Sequence, residues 1–186
     1  MSESLLHRAR VVLVEPQDPV NIAGTVRAMK NMGVRQLVLV RPVEYDPWRI
    51  EGVAHDTKDI VDAIVHADSL LDAVRDCVRV AAFTARARAA KRTVVRPAQA
   101  ADALLAAAAE GPVALVFGRE DKGLPNDALD LAHELVTIPT TDHASLNLAQ
   151  AVLVGLYEMH VRAGDATRTL KRPRKDAPPP TTPSRS

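Results

Sequence analysis

A chain of 186 residues, 47% apolar and 25% charged with a net charge of +1, is long enough to bury one independently folding core. Aromatic residues make up only 3%, so the core must be built from Ala, Val and Leu, and stacking platforms for single-stranded RNA are scarce. The single Cys77 excludes an intramolecular disulfide and a cysteine-based metal site and fits a reducing cytoplasm; no apolar run reaches the length of a membrane span, and the N-terminus has no signal-peptide pattern.

Residues 10–14 (R-V-V-L-V) read as a buried strand ended by Glu15-Pro16. A short loop leads to Asn21. From residue 22 to 32 the apolar spacing is helical, through Ile22, Val26, Met29 and Met32, and Gly33 stops it. Residues 37–40 form a second buried strand before Pro42. Strand, helix and strand with short links predict a parallel, right-handed βαβ unit. Residues 43–57 read as irregular. Short helices are expected over 58–66 and 69–75, the second capped by Ser69.

Residues 77–83 are a third strand, followed by Thr84, Ala85 and a basic loop. Pro97 opens an Ala-rich helix over 97–109. Residues 113–117 are a fourth strand, 118–125 a polar loop with two glycines, and 126–132 a short helix with Asn126 as its cap. Residues 134–138 are a fifth strand, closed by Pro139. Ser145 is then placed to cap a helix over 145–161 that is apolar nearly all round and therefore buried. Within it Asn147 is a poor helix former whose carboxamide needs a partner. After residue 163 the chain is basic and Pro-rich and is expected to be disordered. The reading is a domain over 1–163 with a tail over 164–186.

The alternation gives an α/β domain with a mostly parallel sheet and helices on both faces. Ligands bind such sheets beyond the carboxyl ends of the strands. Residues 15–21, 84–86, 118–123 and 139–147 all fall at that edge. The first strand is not followed by G-x-G-x-x-G, and there is no G-K-[ST], so neither a dinucleotide fold nor a phosphate loop is indicated. His55, His66, His133, His143 and His160 lack metal-ligand spacing. Arg86, Arg88, Lys91, Arg92 and Arg96 stand together without an acid, and the tail is also basic. Two such segments on a nearly neutral chain suggest a polyanion partner.

N-I-A-G-T-V-R-A-M-K-N-M-G (21–33), F-G-R-E-D-K-G-L (117–124) and I-P-T followed by S-L-N-L-A-Q-A-V (138–140, 145–152) occur in this order. Together they resemble the three motifs of the SpoU, or TrmH, branch of the SPOUT RNA methyltransferases. With T-A-R at 84–86 and Tyr157-Glu158, the likeness is greatest to the TrmJ type, which acts on the tRNA anticodon loop. The resemblance covers about residues 8–162. It implies a SPOUT α/β knot, with a trefoil knot in the last third of the domain, and a homodimer. It implies transfer of a methyl group from S-adenosylmethionine, without metal, to a ribose 2′-hydroxyl of tRNA or, less readily, rRNA.

By the same resemblance, Arg27, Asn21, Glu120, Ser145 and Asn147 are the catalytic set. Thr84, Ala85, Gly118, Glu120, Gly123, Ile138, Leu146 and Asn147 line the cofactor. Arg27, Arg86, Arg88, Lys91 and Arg92 meet RNA. A membrane and DNA are not partners, since DNA lacks the nucleophile. The chain departs from the usual N-[IV]-G by placing Ala23 before Gly24, and it has only a short tail where the TrmJ type carries a folded extension. A catalytically idle RNA-binding module on the same fold is the alternative function; a nucleotide hydrolase lacks its nucleophile and phosphate loop.

Overall fold

A computed structural model describes residues 3–85 and 92–164. Arg86, Arg88, Lys91 and the tail from residue 165 lie outside them, so the expectations that rest on those residues are not addressed by it.

After a 3-10 turn, Leu5–Arg8, the strand β1 (Ala9–Val14) is buried on both faces, as its unbroken apolar run requires. The helix α1 (Pro19–Met32) begins three residues earlier than the apolar spacing suggests. Asp18 accepts the Val20 amide and Pro19 has its φ already set, so cap and first turn are supplied together. Gly33, at φ 81°, ends it by donating its N–H to the Met29 carbonyl. β2 (Gln36–Val40) follows.

The stretch expected to be irregular holds a helix, α2 (Pro47–Val53), started by Asp46 and Pro47 in the manner of α1. The helix expected over 58–66 stops early. α3 spans Lys58–Asp62, and Val65–Ala67 is a strand, β3, laid along the open edge of β2. An edge with unpaired amides and carbonyls outweighs the helical reading of a β-branched Val65.

Next come α4 (Leu70–Val74), capped by Ser69, and β4 (Arg79–Phe83). A two-residue strand, β5 (Val94–Val95), is too short to show in any pattern. α5 (Pro97–Ala108) and β6 (Val113–Phe117) fall where expected. α6 (Asn126–Asp130) is preceded by Pro125 as its N-cap and has no side-chain cap bond, so Asn126 is its first residue and not its cap. β7 (Glu134–Val136) ends two residues early.

α7 spans Leu148–Ala163, and its cap is Asn147, not Ser145. Nor is α7 buried all round. Leu148, Val152, Leu156 and Met159 face the core, while Leu153, Tyr157 and Val161 are exposed.

Among the described residues seven strands form one parallel sheet, in the order β3-β2-β1-β6-β4-β7-β5. Val11, Leu13, Leu37, Leu39, Leu115 and Phe117 point to one face, against α1, α5 and α7. Val12, Val14, Val38, Val116 and Leu135 point to the other, against α4 and α6. Helices on both faces of a parallel sheet are the expected class. No helix among the described residues is long and apolar enough to cross a membrane.

Candidate active site

From β1 the chain steps outward through β2 to β3, and the remaining strands lie on the other side of β1. The crevice where direction reverses, between β1 and β6, is where parallel sheets place ligands. Leu13 is in register with Phe117, so the loops leaving β1 and β6 emerge side by side.

Glu120, on the second loop, reaches across to the first. Its carboxylate accepts the Gln17 amide at 2.9 and 3.1 Å, the Asp18 amide at 3.1 Å, and Asn21 Nδ2 at 3.1 Å. A carboxylate set on free amides at the start of a helix satisfies donors that have no partner within the helix and opposes the helix dipole favourably. Asn21 is buried and passes the connection on. Its Oδ1 accepts Asn147 Nδ2 at 2.9 Å, and Asn147 Oδ1 accepts the Gln150 amide at 3.2 Å. One relay therefore ties together Glu120, the first turn of α1 and the first turn of α7. The partner that Asn147 needs is a side chain 126 residues away in sequence.

The loop after β6 is closed on itself. Arg119 and Gly123 exchange both backbone bonds, at 3.2 and 2.9 Å, with Gly123 at φ 66°. A Cβ on Gly118 would stand 2.2 Å from the Gly123 carbonyl carbon and 2.4 Å from the Leu124 nitrogen. Only glycine permits this approach. Arg119 forks onto Asp121 at 2.9 and 3.1 Å and holds its carboxyl below the ordinary range.

The sheet order β6-β4-β7 brings Gly118, Thr84 with Ala85, and Ile138 to three neighbouring strand ends. Thr84 donates its N–H to the Val136 carbonyl, and its own carbonyl accepts the Thr137 hydroxyl at 3.2 Å, which locks the exits of β4 and β7 together. Ile138 is half-buried against the core. The loop from Pro139 to Asn147, which holds Ser145 and Leu146, is exposed throughout. Its apolar Leu146 stands at the surface.

Arg27 is exposed on α1, and among the described residues it has no hydrogen-bond or ion-pair partner. Gly24, three residues earlier on the same side of the helix, meets α7: a Cβ there would be 2.7 Å from that of Ala149. Arg27 thus stands beside the crossing of α1 and α7, near the relay but outside it.

Arg92 is committed otherwise. Its guanidinium donates to the carbonyls of Asp130 and Ala132, at and just past the end of α6, which leaves less of it for a phosphate than its place in a basic run suggests. Sequence reading also missed Gln17 and Asp18, whose contribution is made by main-chain amides. Only the Asp18-Pro19 start signal marks that turn. Among the described residues no three His, Cys, Asp or Glu side chains gather as a metal site would need. A cavity of about 400 Å³, lined by Arg10, Gln36, Val65 and Ala73, opens toward the starts of β1 and β2 and holds none of these residues.

The model of the SpoU rRNA methylase family matches residues 8–157. The chain is 42% identical over 159 residues to the tRNA (cytidine/uridine/adenosine-2′-O-)-methyltransferase TrmJ of Pseudomonas aeruginosa (strain UCBPP-PA14), covering 84% of this chain and 62% of that one. It is 38% identical over 165 residues to the tRNA (cytidine/uridine-2′-O-)-methyltransferase TrmJ of Sodalis glossinidius (strain morsitans), covering 88% and 65%. The chain therefore spans a little under two thirds of the length of these curated relatives. Among solved structures, a probable methylase family protein from Haemophilus influenzae Rd KW20 superposes with a TM-score of 0.80 at 35% identity, covering 92% of this chain and 74% of that one.

Proposed function

Because the chain belongs to the SpoU rRNA methylase family, we propose that it methylates a ribose 2′-hydroxyl of RNA, with S-adenosylmethionine as donor and tRNA as the substrate. The relatives named for tRNA 2′-O-methylation support the choice of tRNA. The observation that carries the reading is the relay Glu120–Asn21–Asn147, which joins all three sequence motifs at the carboxyl edge of the sheet.

The cofactor fits the ground beside that relay. The Gly118 approach leaves backbone bare where a Cβ would collide, and the 139–147 loop, which leaves the same edge of the sheet, is exposed. Thr84, Ala85, Gly118, Gly123, Ile138 and Leu146 would hold it, mainly through main-chain groups. When bound, S-adenosylmethionine supplies an electrophilic methyl group on a sulfonium, so the transfer asks for alignment and charge stabilisation at the attacking oxygen.

A guanidinium offers hydrogen-bond donors and no acceptor, so Arg27 is assigned no general-base role. Its planar fork suits an adjacent phosphate and an emerging 2′-alkoxide, so it acts as a cationic clamp, and the hydroxyl proton leaves to phosphate or water. Glu120, Asn21 and Asn147 hold the helix starts that aim the clamp, and Ser145 stands at the mouth of the site.

The proposal includes a homodimer in a bacterial cytoplasm. What supports the dimer is the exposed apolar stripe of α7 beside Arg27. What supports the knot is that β7 is laid between β4 and β5, both earlier in the chain, after which α7 returns onto α1 and α5. Labelled methyl transfer from S-adenosylmethionine to transcribed tRNA tests the reading. Ribose-linked label is expected; binding of tRNA and cofactor without transfer would leave an idle RNA-binding module in its place.

A further inference from the structure

Glu15 and Arg41 are the first residues after β1 and β2, and both hold a left-handed backbone, at φ 53° and 44°. Side chains rarely adopt it, and such residues persist only where their surroundings over-determine them. Here they hold each other. Arg41 Nε donates to Glu15 Oε1 at 3.2 Å, and Arg41 Nη1 donates to the Asp68 carbonyl at 2.8 Å, anchoring the pair to the exit of β3. The Glu15 amide donates to the Val40 carbonyl at 2.8 Å, and the Val43 amide donates to the Pro16 carbonyl at 2.9 Å.

The turn secured in this way is the one that grips Glu120. Gln17 Nε2 donates to the Glu15 carbonyl at 2.7 Å, while the Gln17 and Asp18 amides point at the Glu120 carboxylate. We infer that Arg41, through its clasp on Glu15, is a positioning residue for the catalytic relay: it holds the β1–α1 turn in the strained form that presents two amides to Glu120. The link to catalysis rests on the methyltransferase reading; the link to the turn does not.

If Arg41 acts by holding Glu15 at positive φ, its loss should be repaired by a residue that takes positive φ unaided. Arg41→Ala should expose the Gln17 and Asp18 amides, raising their hydrogen exchange by about tenfold, the change in population that backbone strain of this class sustains. Methyl transfer should fall with it, in kcat more than in KM for tRNA. Adding Glu15→Gly to Arg41→Ala should restore both amide protection and turnover, because glycine enters the left-handed region freely.

Two results overturn the inference. One is wild-type exchange at residues 17 and 18 in Arg41→Ala. The other is a double variant as impaired as the single one, which would make Arg41 an RNA contact or a simple surface support. If wild-type protein transfers no methyl group, the function proposed above fails, while the exchange comparison still decides the role of Arg41.

Discussion

Arg27 is exposed and, unlike Asn21, Glu120 and Asn147, has no protein partner among the described residues, although it stands beside the relay that those three form. An exposed helix arginine of no consequence should cost about half a kcal/mol or less when truncated. As the clamp, Arg27→Ala should leave cofactor affinity by calorimetry near wild type and lower methyl transfer by ~100-fold or more. Arg27→Lys keeps the charge and loses the planar fork, so it should rescue little. Normal turnover in Arg27→Lys would mean that charge alone suffices.

Away from the site, Asp76 is bonded twice by Arg10, at 2.7 and 2.8 Å, and this holds its carboxyl below the usual value. A depressed folded pKa adds stability above the unfolded value and loses it as pH falls through the folded one. Asp76→Asn should therefore lower the urea midpoint at neutral pH, with the gap to wild type closing in acid. A gap that persists at about pH 2 would show that shape, not charge, is what Asp76 contributes. The residue scale is also where sequence reading found most. Asn21, Arg27, Glu120 and Asn147 were each legible as motif members, but the pairing of Asn21 with Asn147 was not, because no local spacing encodes a contact across 126 residues.

At the scale of elements, the strongly patterned pieces were legible and the weakly patterned ones were not. β1, α1, β2, α5 and β6 carry their own start and stop signals. β3 and β5 are three and two residues long and exist because a neighbouring strand offers an edge, which is information from outside their own sequence. The start of α7 shifted from Ser145 to Asn147 for a similar reason: both residue types cap well, and the bond from Asn147 to Asn21 decides between them.

The loop after β6 offers the sharpest test at this scale. At Gly118 a methyl group meets backbone atoms at 2.2 to 2.5 Å, while at Gly123 it meets open space and only the φ of 66° is at issue. Gly118→Ala should cost on the order of 1–3 kcal/mol, seen as a few degrees in melting temperature for a chain of this size. It should also weaken S-adenosylmethionine binding by about tenfold or more, since the loop must move away from the cradle. Gly123→Ala should be the milder change in both respects. The reverse order would mean that positive φ, and not close approach, is what the loop requires of its glycines.

For the whole molecule, the surface of α7 is the feature that a single chain leaves unexplained. Sequence reading took this helix to be buried all round, and one side of it is not: Leu153, Tyr157 and Val161 are 39%, 52% and 48% exposed in a continuous line. Their spacing of four places them on one side of the helix. The pattern expressed a helix that must be covered; it did not say by what. Isologous contact between two copies would cover it, and the proposed site would then draw on both chains. A sedimentation mass of about two chains is then expected at micromolar protein. Tyr157→Asp should give a folded monomer near 20.1 kDa with its thermal transition intact and methyl transfer largely lost, because the charge sits in the contact and not in the core. A wild-type mass near 20.1 kDa would contradict the dimer. A Tyr157→Asp monomer that still methylates tRNA at the wild-type rate would mean that each chain's site is complete without its partner, and the exposed stripe would then need another explanation.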